Sequence, residues 1–394
     1  MKRPSIRIAA LAGAVTMALA ATVAAAQPAP PGDILAGGLS NPRGLTAEGS
    51  DILVAEVGAG QITRISADGT TSVVVSGLPT TVFFSEETGT DEVAGPSAVI
   101  PVEGGYVITV SEGPDASMQS LYFAAEGQTG GSLMADLGAY EVANNTDAGL
   151  NIAGEADLLS NPYDVVAFGG GFLVSNSGAN AVLRIDAEGN ITPFAIFEAR
   201  ENPLFPNIGG PTMNQVPTGM VVGPDGAVYV STLTGFPFPT GEARVYRLSD
   251  SNSDGDALDD GEMTVYADGL TTATDLAFDE NGDLVVTEFS TNMLAQAPGR
   301  VVRVSNGNIE VIAGGVISPT GVIVMDGRVI VSQEFTGLVT DVTDAGAGAP
   351  PAAPTPANTG LGTSTTGDDN ALLVLGLLAG AVFVTGASRR ATAR

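Results

Sequence analysis

A six-fold internal repeat dominates the middle of this 394-residue chain and limits the folds that it can adopt. Each copy has a Pro, two residues, a short apolar run, a Gly-containing turn, a second apolar run, and then a small and a polar residue. Two short apolar runs around a Gly or Asn turn indicate a β-hairpin, because these residues tolerate the positive φ that tight turns need. The copies span residues 41–56, 95–112, 161–176, 216–232, 273–288 (without the Pro) and 318–333.

Further strands complete most of the repeats. Segments of alternating apolar and polar residues follow several hairpins and predict a third strand that is buried on one face, as at 61–66, 181–186, 243–248 and 300–305. A fourth element precedes the next hairpin, as at 72–79, 264–271 and 310–319. Six units of four antiparallel strands predict an all-β fold, a six-bladed β-propeller.

The sixth unit ends before its fourth strand. Its third strand falls near 337–342, and an Ala-, Pro- and Gly-rich tract follows. The segment 33–42, DILAGGLSNP, matches EVIAGGVISP at 310–319. We therefore expect residues 33–38 to complete the last blade and to cover an edge that would otherwise invite aggregation. The predicted propeller domain covers residues 27–344.

The composition excludes several kinds of chemistry. The chain has no Cys, so it has no disulfide, thiol nucleophile or thiolate zinc site. It has no His either, which excludes a Ser-His-Asp triad and imidazole-bound zinc. We expect no zinc, haem or PQQ, since a quinoprotein sugar dehydrogenase on a similar propeller normally uses a His base.

The net charge of −29 bears on the partners of the protein. An acidic body of this kind repels nucleic acid and anionic membrane surfaces. It attracts cations, and Ca²⁺ in particular. Solubility, as in a salty habitat, is the alternative explanation of the charge.

Both ends of the chain predict export and anchoring. Residues 1–26 have the basic start, the apolar Ala-rich centre and the small-x-small end of a signal peptide, with an uncleaved anchor helix as the alternative. Residues 345–370 predict an extended stalk, 371–387 a transmembrane helix, and 388–394 a basic tail. Seventeen helical residues span about 25 Å, which is short for a membrane crossing. The Arg residues that follow predict a cytoplasmic C-terminus and an extracellular body.

The C-terminal region also resembles a sortase cell-wall sorting signal. It has the order of stalk, Thr359-Gly360, polar spacer, apolar helix and Arg pair. The Leu and Pro of the family motif Leu-Pro-x-Thr-Gly are absent, which puts transpeptidation at Thr359 in doubt. A single-pass membrane anchor is the simpler interpretation.

Three segments resemble a particular family. Blades that open with Pro-x-Gly or Pro-x-Asp resemble NHL-type propellers. ADLGAYEVANN at 135–145, the segment 160–186, and the segment 216–248 with its LTGFPFPTGEARVYR tract resemble the ScyD/ScyE family of secreted propeller proteins. The resemblance covers roughly residues 33–342, and it implies the fold and export more than any chemistry.

The richest acidic stretch is DSNSDGDALDDGE, residues 250–262, which we call the acidic loop. Its beginning matches the alternating oxygen ligands of an EF-hand-like Ca²⁺ loop, in which Gly255 permits the turn. The far ligand is out of register, because position twelve is Gly261. A solvated acidic hairpin is the alternative. The candidate ligands are Asp250, Asn252, Asp254, Asp256, Asp259, Asp260 and Glu262.

The repeat itself predicts a second group of candidate metal ligands. A polar residue ends the second strand of each unit: Glu56, Glu112, Asn176, Thr232, Glu288 and Gln333. Equivalent positions form a ring at one mouth of a propeller channel, where Glu56, Glu112, Asn176 and Glu288 are candidate metal ligands. Propeller lactonases of the gluconolactonase type hold a divalent metal on Glu, Asn and Asp in such a place. A hydrated channel lined by polar strand ends is the alternative.

Two further acids, Asp164 and Asp275, replace the Gly of the Pro-x-Gly opening, and we expect them to cap turns. Ser and Thr have no His or Lys in the body to activate them, which disfavours nucleophilic catalysis. We interpret the protein as an extracellular, membrane-tethered binding or scaffold module for an unknown ligand or protein. The alternative is a metal-dependent, lactonase-like hydrolase that uses the carboxylates at the channel mouth.

Overall fold

The computed structural model describes residues 31–85, 90–148 and 158–347. These residues form six four-stranded antiparallel sheets, together with two short two-stranded hairpins. The first strands of successive sheets contact one another in a closed ring, so each sheet is a blade around a central channel. The predicted six-bladed, all-β propeller is confirmed.

The blades are numbered in chain order, and each has its strands in the order from the channel outward. Blades 1 and 2 comprise Pro42–Glu48, Asp51–Glu56, Gln61–Ile65 and Thr71–Val75, then Pro96–Val102, Gly105–Val110, Ser120–Ala124 and Ser132–Asp136. Blades 3 and 4 comprise Pro162–Phe168, Gly171–Asn176, Ala181–Ile185 and Ile191–Ile196, then Pro217–Val222, Val228–Thr232, Ala243–Leu248 and Met263–Leu270. Blades 5 and 6 comprise Ala273–Phe278, Leu284–Glu288, Gly299–Ser305 and Asn308–Val316, then Pro319–Met325, Arg328–Gln333, Leu338–Asp341 and Asp33–Gly37.

Short elements lie in the loops that connect the strands of the blades. The hairpins are Thr81–Ser85 with Thr90–Ala94, and Arg200–Glu201 with Thr212–Met213. A helix spans Leu137–Asn144, and a 3₁₀ turn spans Met293–Ala295. The Asp136 side chain begins the helix by accepting a hydrogen bond from the Ala139 N–H at 2.7 Å.

The outer strand of blade 6 comes from the other end of the propeller sequence. Asp33–Gly37 pairs antiparallel with Leu338–Asp341, with Asp33 opposite Asp341. The pairing is the one expected of residues 33–38, although the strand ends one residue earlier. It joins the two ends of the described chain within one sheet.

The core lies between the blades. Six clusters of buried apolar side chains occupy the six contacts between neighbouring blades. In the cluster between blades 1 and 2, for example, Leu53 packs with Ile108. The second strands have neighbours on both faces, which explains why their sequences are nearly continuous apolar runs rather than alternating ones.

A β-bulge near the start of every first strand explains the Pro-x-Gly pattern. The pairing register shifts just after the opening residue in all six blades. There the first strand approaches the next blade closely: a Cβ on Gly44 would lie 2.7 Å from the Ser97 carbonyl oxygen, and one on Gly321 would lie 2.4 Å from that of Arg43. Gly is therefore required at these two positions by space.

Hydroxyl groups beside the bulges connect the blades. In four blades, the residue after the opening position donates its hydroxyl to the opening carbonyl of the following blade. The bonds are Ser97 to Pro162 at 2.9 Å, Thr218 to Ala273 at 3.0 Å, Thr274 to Pro319 at 3.0 Å and Thr320 to Pro42 at 3.2 Å. Blades 1 and 3 have Arg43 and Tyr163 at this position instead.

Both terminal signals lie outside the described residues. This applies to the predicted signal peptide at 1–26, to the predicted transmembrane helix at 371–387, and to nearly all of the predicted stalk. Within residues 31–85, 90–148 and 158–347, no helix has the length and apolar character needed to cross a membrane.

Candidate functional site

The second strands all end at one face of the ring, which we call the mouth face. Glu56 lies opposite Pro42, and the same pairing with the opening residue places Asn176, Thr232, Glu288 and Gln333. In blade 2 the residue opposite Pro96 is Val110, so Glu112 lies two residues beyond the equivalent position. Pro96 and Val110 are as far apart along the chain as Pro42 and Glu56, so blade 2 has an apolar residue at the equivalent position and its polar residue falls beyond the strand.

Four of these polar side chains bind the segment that leads into their own blade. The Glu56 carboxylate accepts from the Ser40 N–H at 2.7 Å, and Glu288 accepts from the Thr271 N–H. Asn176 Oδ1 accepts from the Asn161 N–H at 2.7 Å, and Gln333 Oε1 from the Ile317 N–H at 3.2 Å. These residues act as latches between the end of the second strand and the start of the first.

The remaining oxygens of the two latch carboxylates also have partners. Glu56 accepts from Gln61 Nε2 at 2.8 Å and from the Thr63 hydroxyl. Glu288 forms an ion pair with Arg300 on the third strand of its own blade. Neither belongs to a group of three acidic side chains close enough to share a metal ion, in a comparison limited to the described residues.

A different polar cluster lies at the mouth face, and the sequence pattern did not predict it. Arg43 of blade 1 pairs with Glu334, just after the second strand of blade 6, with 2.9 Å between Nη2 and Oε1. The Arg43 guanidinium carbon also lies 5.8 Å from the centre of the Tyr163 ring of blade 3. All three side chains are buried. We call these residues the Arg43 cluster, and it joins blades 1, 3 and 6.

Each member of the Arg43 cluster retains one polar atom that has no hydrogen-bond partner among the described residues: Arg43 Nε, Tyr163 Oη and Glu334 Oε2. Burial raises the pKa of Glu334 and of Tyr163, and the Arg43 charge opposes both shifts. Burial lowers the pKa of Arg43, but the charge of Glu334, with a smaller contribution from Glu112, raises it overall. The sequence signal for this cluster is that Arg43 and Tyr163 are large where other copies of the repeat have Ser or Thr.

The channel contains a cavity of about 180 Å³, lined by residues of the first strands that include Asp164 and Asp275. Each carboxylate accepts a hydrogen bond from the N–H of the residue that follows it and another from the first strand of the next blade. Asp164 accepts from Met220 N, and Asp275 accepts from Val322 N, both at 2.7 Å. The expectation that these two acids cap turns is wrong, because the bulges direct them toward the adjacent first strand.

Burial changes the ionisation of the two channel acids. It raises the pKa of Asp164 to about 7. Burial, together with the charge of Asp164, raises the pKa of Asp275 well above its ordinary range. A carboxyl group that holds a proton near neutral pH can both donate and accept a hydrogen bond.

The acidic loop joins the third and fourth strands of blade 4. In the described part of the chain, one group of three acidic side chains has oxygens that all lie within 4.8 Å of one another: Asp254, Asp256 and Glu262. Three carboxylates at this spacing form a donor set that suits a hard cation such as Ca²⁺. The Ser251 hydroxyl and nearby backbone N–H groups lower the pKa of Glu262, which favours its ionised form.

The other predicted ligands of the loop have different roles. Asp250 accepts from the backbone N–H of Asp254 at 3.0 Å, and Asn252 Nδ2 donates to Asp259 at 2.7 Å and to Asp254 at 2.9 Å. Asp259 and Asp260 line a cavity beside the loop. The loop therefore divides its acids between shaping itself, the group of three, and that cavity.

Comparisons with known proteins support the fold alone. No family model matches the sequence, and no curated protein matches it. Regucalcin, a calcium-binding protein from Agrobacterium tumefaciens str. C58, is 13% identical, with 80% of this chain and 95% of that chain covered and a TM-score of 0.50. A gluconolactonase from Xanthomonas campestris is 14% identical, with 79% and 94% covered and a TM-score of 0.48. Virginiamycin B lyase from Staphylococcus aureus is 16% identical, with 78% and 96% covered and a TM-score of 0.44.

Proposed function

We propose that the protein is an exported, membrane-tethered propeller of the ScyD/ScyE type that acts outside the cell as a binding or scaffold module. Residues 371–387 would hold it in the membrane, and the acidic loop would carry Ca²⁺. The observation that carries this proposal is that the carboxylates at the mouth face already have hydrogen-bond or ion-pair partners. Glu56 and Glu288 are both committed to partners within their own blades.

A metal-dependent hydrolase needs carboxylates that converge on one ion and leave a coordination position open. The three acids that do converge, Asp254, Asp256 and Glu262, are on a loop of the outer half of blade 4 rather than in the channel. The Arg43 cluster occupies the mouth face with a guanidinium, which opposes a cation there. This arrangement favours binding over metal-assisted hydrolysis.

One observation favours the lactonase-like alternative. Asp164 and Asp275 are half-buried at the channel cavity and have raised pKa values, and such groups are often found at active sites. The cavity of about 180 Å³ is smaller than the roughly 300–1,000 Å³ of most ligand sites. Both carboxylates are also held by backbone N–H groups of neighbouring strands. We therefore rank hydrolysis second.

The test uses the predicted anchor. A chain that lacks residues 361–394 keeps every described residue, and we expect cells to release it into the medium. The released protein is labelled with a fluorophore and added to cells from which the gene has been deleted. Saturable surface binding that unlabelled protein displaces is the expected result.

A parallel assay addresses the alternative. The released protein is incubated with gluconolactone and Ca²⁺, Mn²⁺ or Mg²⁺. Hydrolysis that depends on the metal and is lost in Asp164→Asn, combined with no saturable binding to cells, would replace the binding proposal with the hydrolase.

A further inference from the structure

The two faces of the ring carry different connections. The strands of a blade alternate in direction, so the connections from second to third strands, and those from one blade to the next, lie at the mouth face. The two-stranded hairpins, the helix and the 3₁₀ turn all belong to these connections. At the opposite face the turns are short, apart from the acidic loop. The additional structure of this propeller is therefore concentrated at the mouth face.

Exposed apolar side chains are concentrated at the mouth face as well. Among the described residues, only Val222 and Leu258 are large, apolar and exposed at the opposite face, and several others lie on the outer strands of the blades. The mouth-face connections present more of them, including Val82, Phe84, Val142, Phe205, Leu294 and Phe335. Apolar side chains that collect on one face of a protein mark an interaction surface.

The first two-stranded hairpin shows how such side chains are held. Phe83 packs against the buried cluster of blade 2 that contains Met118. Val82 and Phe84 alternate with Phe83 along the strand, so they lie on the other face of the hairpin, where they are 65% and 61% exposed. Asp91 lies directly opposite Phe84 and is exposed too. This face of the hairpin therefore presents apolar side chains beside a carboxylate.

The loop of the second hairpin is organised by one buried side chain, Asn202. Its Nδ2 donates to the carbonyl groups of Ile208 and Gly210, both at 2.8 Å, and its Oδ1 accepts from the Leu204 N–H at 2.9 Å. The same loop presents Phe205 to solvent with 51% of its surface exposed. A loop that is ordered before binding loses little conformational freedom when a partner docks. This order favours a binding role for Phe205.

The mouth face has a surplus of negative charge. The arginines at or beside this face already have acidic partners: Arg43 with Glu334, Arg200 with Glu242, Arg244 with Asp268 and Arg300 with Glu288. Four exposed carboxylates of the mouth-face connections have no ion-pair partner in the described part of the chain: Asp91, Asp115, Glu198 and Glu201. Such a face attracts positively charged partners and repels anions.

The charge and the apolar side chains together define the partner. A second copy of this chain has the same net charge of −29, and an anionic membrane is repelled as well. A basic protein segment meets the carboxylates with its positive charges and covers Val82, Phe84 and Phe205 with its own apolar side chains. We propose that the mouth face docks a basic, apolar segment of a partner protein. This inference rests on the proposed binding function and names the class of partner.

The test measures peptide binding to the full-length chain, which is immobilised on a sensor surface in a neutral detergent, with a detergent-only channel as reference. Peptides of equal length are compared: one of Lys and Leu, one of Glu and Leu, and one of Lys and Ser. We expect the Lys/Leu peptide to bind saturably with a Kd on the order of 10 μM, and more weakly as NaCl is added. The other two peptides should bind at least about tenfold more weakly, because each lacks either the positive charge or the apolar side chains.

Variants assign the binding to the mouth face. Phe84→Ser combined with Phe205→Ser should weaken the affinity for the Lys/Leu peptide about tenfold, because both side chains are exposed and their apolar contacts are lost. Glu198→Gln combined with Glu201→Gln should weaken it less and reduce its dependence on salt. Val222→Ser is the matched control, since it removes an exposed apolar side chain from the opposite face. A melting curve of each variant shows that it is folded.

Three results would overturn the inference: no saturation by the Lys/Leu peptide below about 1 mM, equal affinity for the Glu/Leu peptide, or unchanged affinity in the double Phe variant. Phosphatidylcholine vesicles, phosphatidylglycerol vesicles and soluble copies of the protein are injected in parallel. If one of these binds in place of the peptide, and the double Phe variant loses that binding, the mouth face docks a membrane or a second copy and the proposal fails.

The assay on cells separates this failure from that of the proposed function. If labelled protein still binds saturably to cells but the Lys/Leu peptide does not bind, only the partner assigned to the mouth face fails. If binding to cells is absent as well, the binding module itself is rejected.

Discussion

The two acidic regions of this molecule differ in how crowded their carboxylates are and in whether an Arg accompanies them. At the mouth face, Glu56 and Glu288 accept hydrogen bonds from their own blades, and Glu288 also has an Arg partner. In the acidic loop, Asp254, Asp256 and Glu262 crowd within 4.8 Å of one another, and none has an ion-pair partner among the described residues. Glu262 also accepts hydrogen bonds inside the loop, from the Ser251 hydroxyl and the Asp259 N–H, so the difference lies in the crowding. Three carboxylates this close repel one another unless a cation offsets their charge.

The largest effect should come from removing the closing strand, which belongs to the ring rather than to the loop. Deletion of residues 27–40 removes Asp33–Gly37 from blade 6 and the Ser40 N–H from Glu56. The exposed edge of Leu338–Asp341 should make the protein aggregate or lose several degrees of melting temperature. Size-exclusion chromatography and thermal melting check this, with the 361–394 deletion as control. A truncated protein as stable and monomeric as its parent would contradict the closure.

The pH dependence should separate the channel from the surface. A raised pKa means that folding favours the protonated carboxyl. The contribution of Asp164 to the stability of the folded state is therefore complete below its unfolded pKa, and it is lost as the pH rises through about 7. Burial also raises the pKa of Asp275 and Glu334, so both should act in the same direction.

Acids with lowered pKa values, such as Asp186 and Asp225, affect stability only at lower pH. Their contribution to the stability of the folded state is lost as the pH falls toward their folded pKa. The melting temperature, measured with a chelator present to remove divalent cations, should therefore decrease as the pH is raised from about 5 to about 8. Asp164→Asn combined with Asp275→Asn should flatten that slope. An unchanged slope in the double variant would show that the channel acids do not cause it.

A pair of alanine variants compares the two regions directly. Glu288→Ala leaves the Thr271 N–H and the Arg300 guanidinium without their acceptor, and it should lower the free energy of unfolding by about 3 kcal/mol. Asp254→Ala, measured without divalent cations, relieves repulsion in the loop and should cost little. Urea unfolding of both variants provides the numbers. Equal losses would mean that the loop acids also act as internal partners.

The smallest expected effect concerns the cation. Ca²⁺ at ten times its Kd should stabilise the protein by about 1.4 kcal/mol, and extracellular Ca²⁺ modules have Kd values of about 10⁻⁴–10⁻³ M. Mg²⁺ should stabilise less, because it demands tighter octahedral geometry. Asp254→Ala should abolish the increase in melting temperature, and Glu56→Ala should keep it. If NaCl of matched ionic strength stabilises equally, the effect is screening and the metal site is rejected.

The site was harder to predict than the fold, and Glu112 and Arg43 show why. The repeat indicated polar residues at the ends of the second strands, and every blade except blade 2 has one there; blade 2 has Val110 at this position, so Glu112 lies two residues beyond it. Arg43, Tyr163 and Glu334 are separated by more than 100 residues along the chain, and only the closed ring brings them together. The loop acids could be picked out because they lie close together along the chain, although their division between the group of three and the cavity beside the loop could not.

The sequence by itself determined the six blades, because a hairpin and its turn are local and the period repeats them. It also indicated the strand at 33–38, since the sixth unit lacks a fourth strand of its own. Only the tertiary structure decided which acids are latches, which line the channel cavity, and which crowd together. The physical reason is that spacing along a strand places a residue on a face, whereas the donors that satisfy its carboxylate come from other strands and segments that only folding brings close.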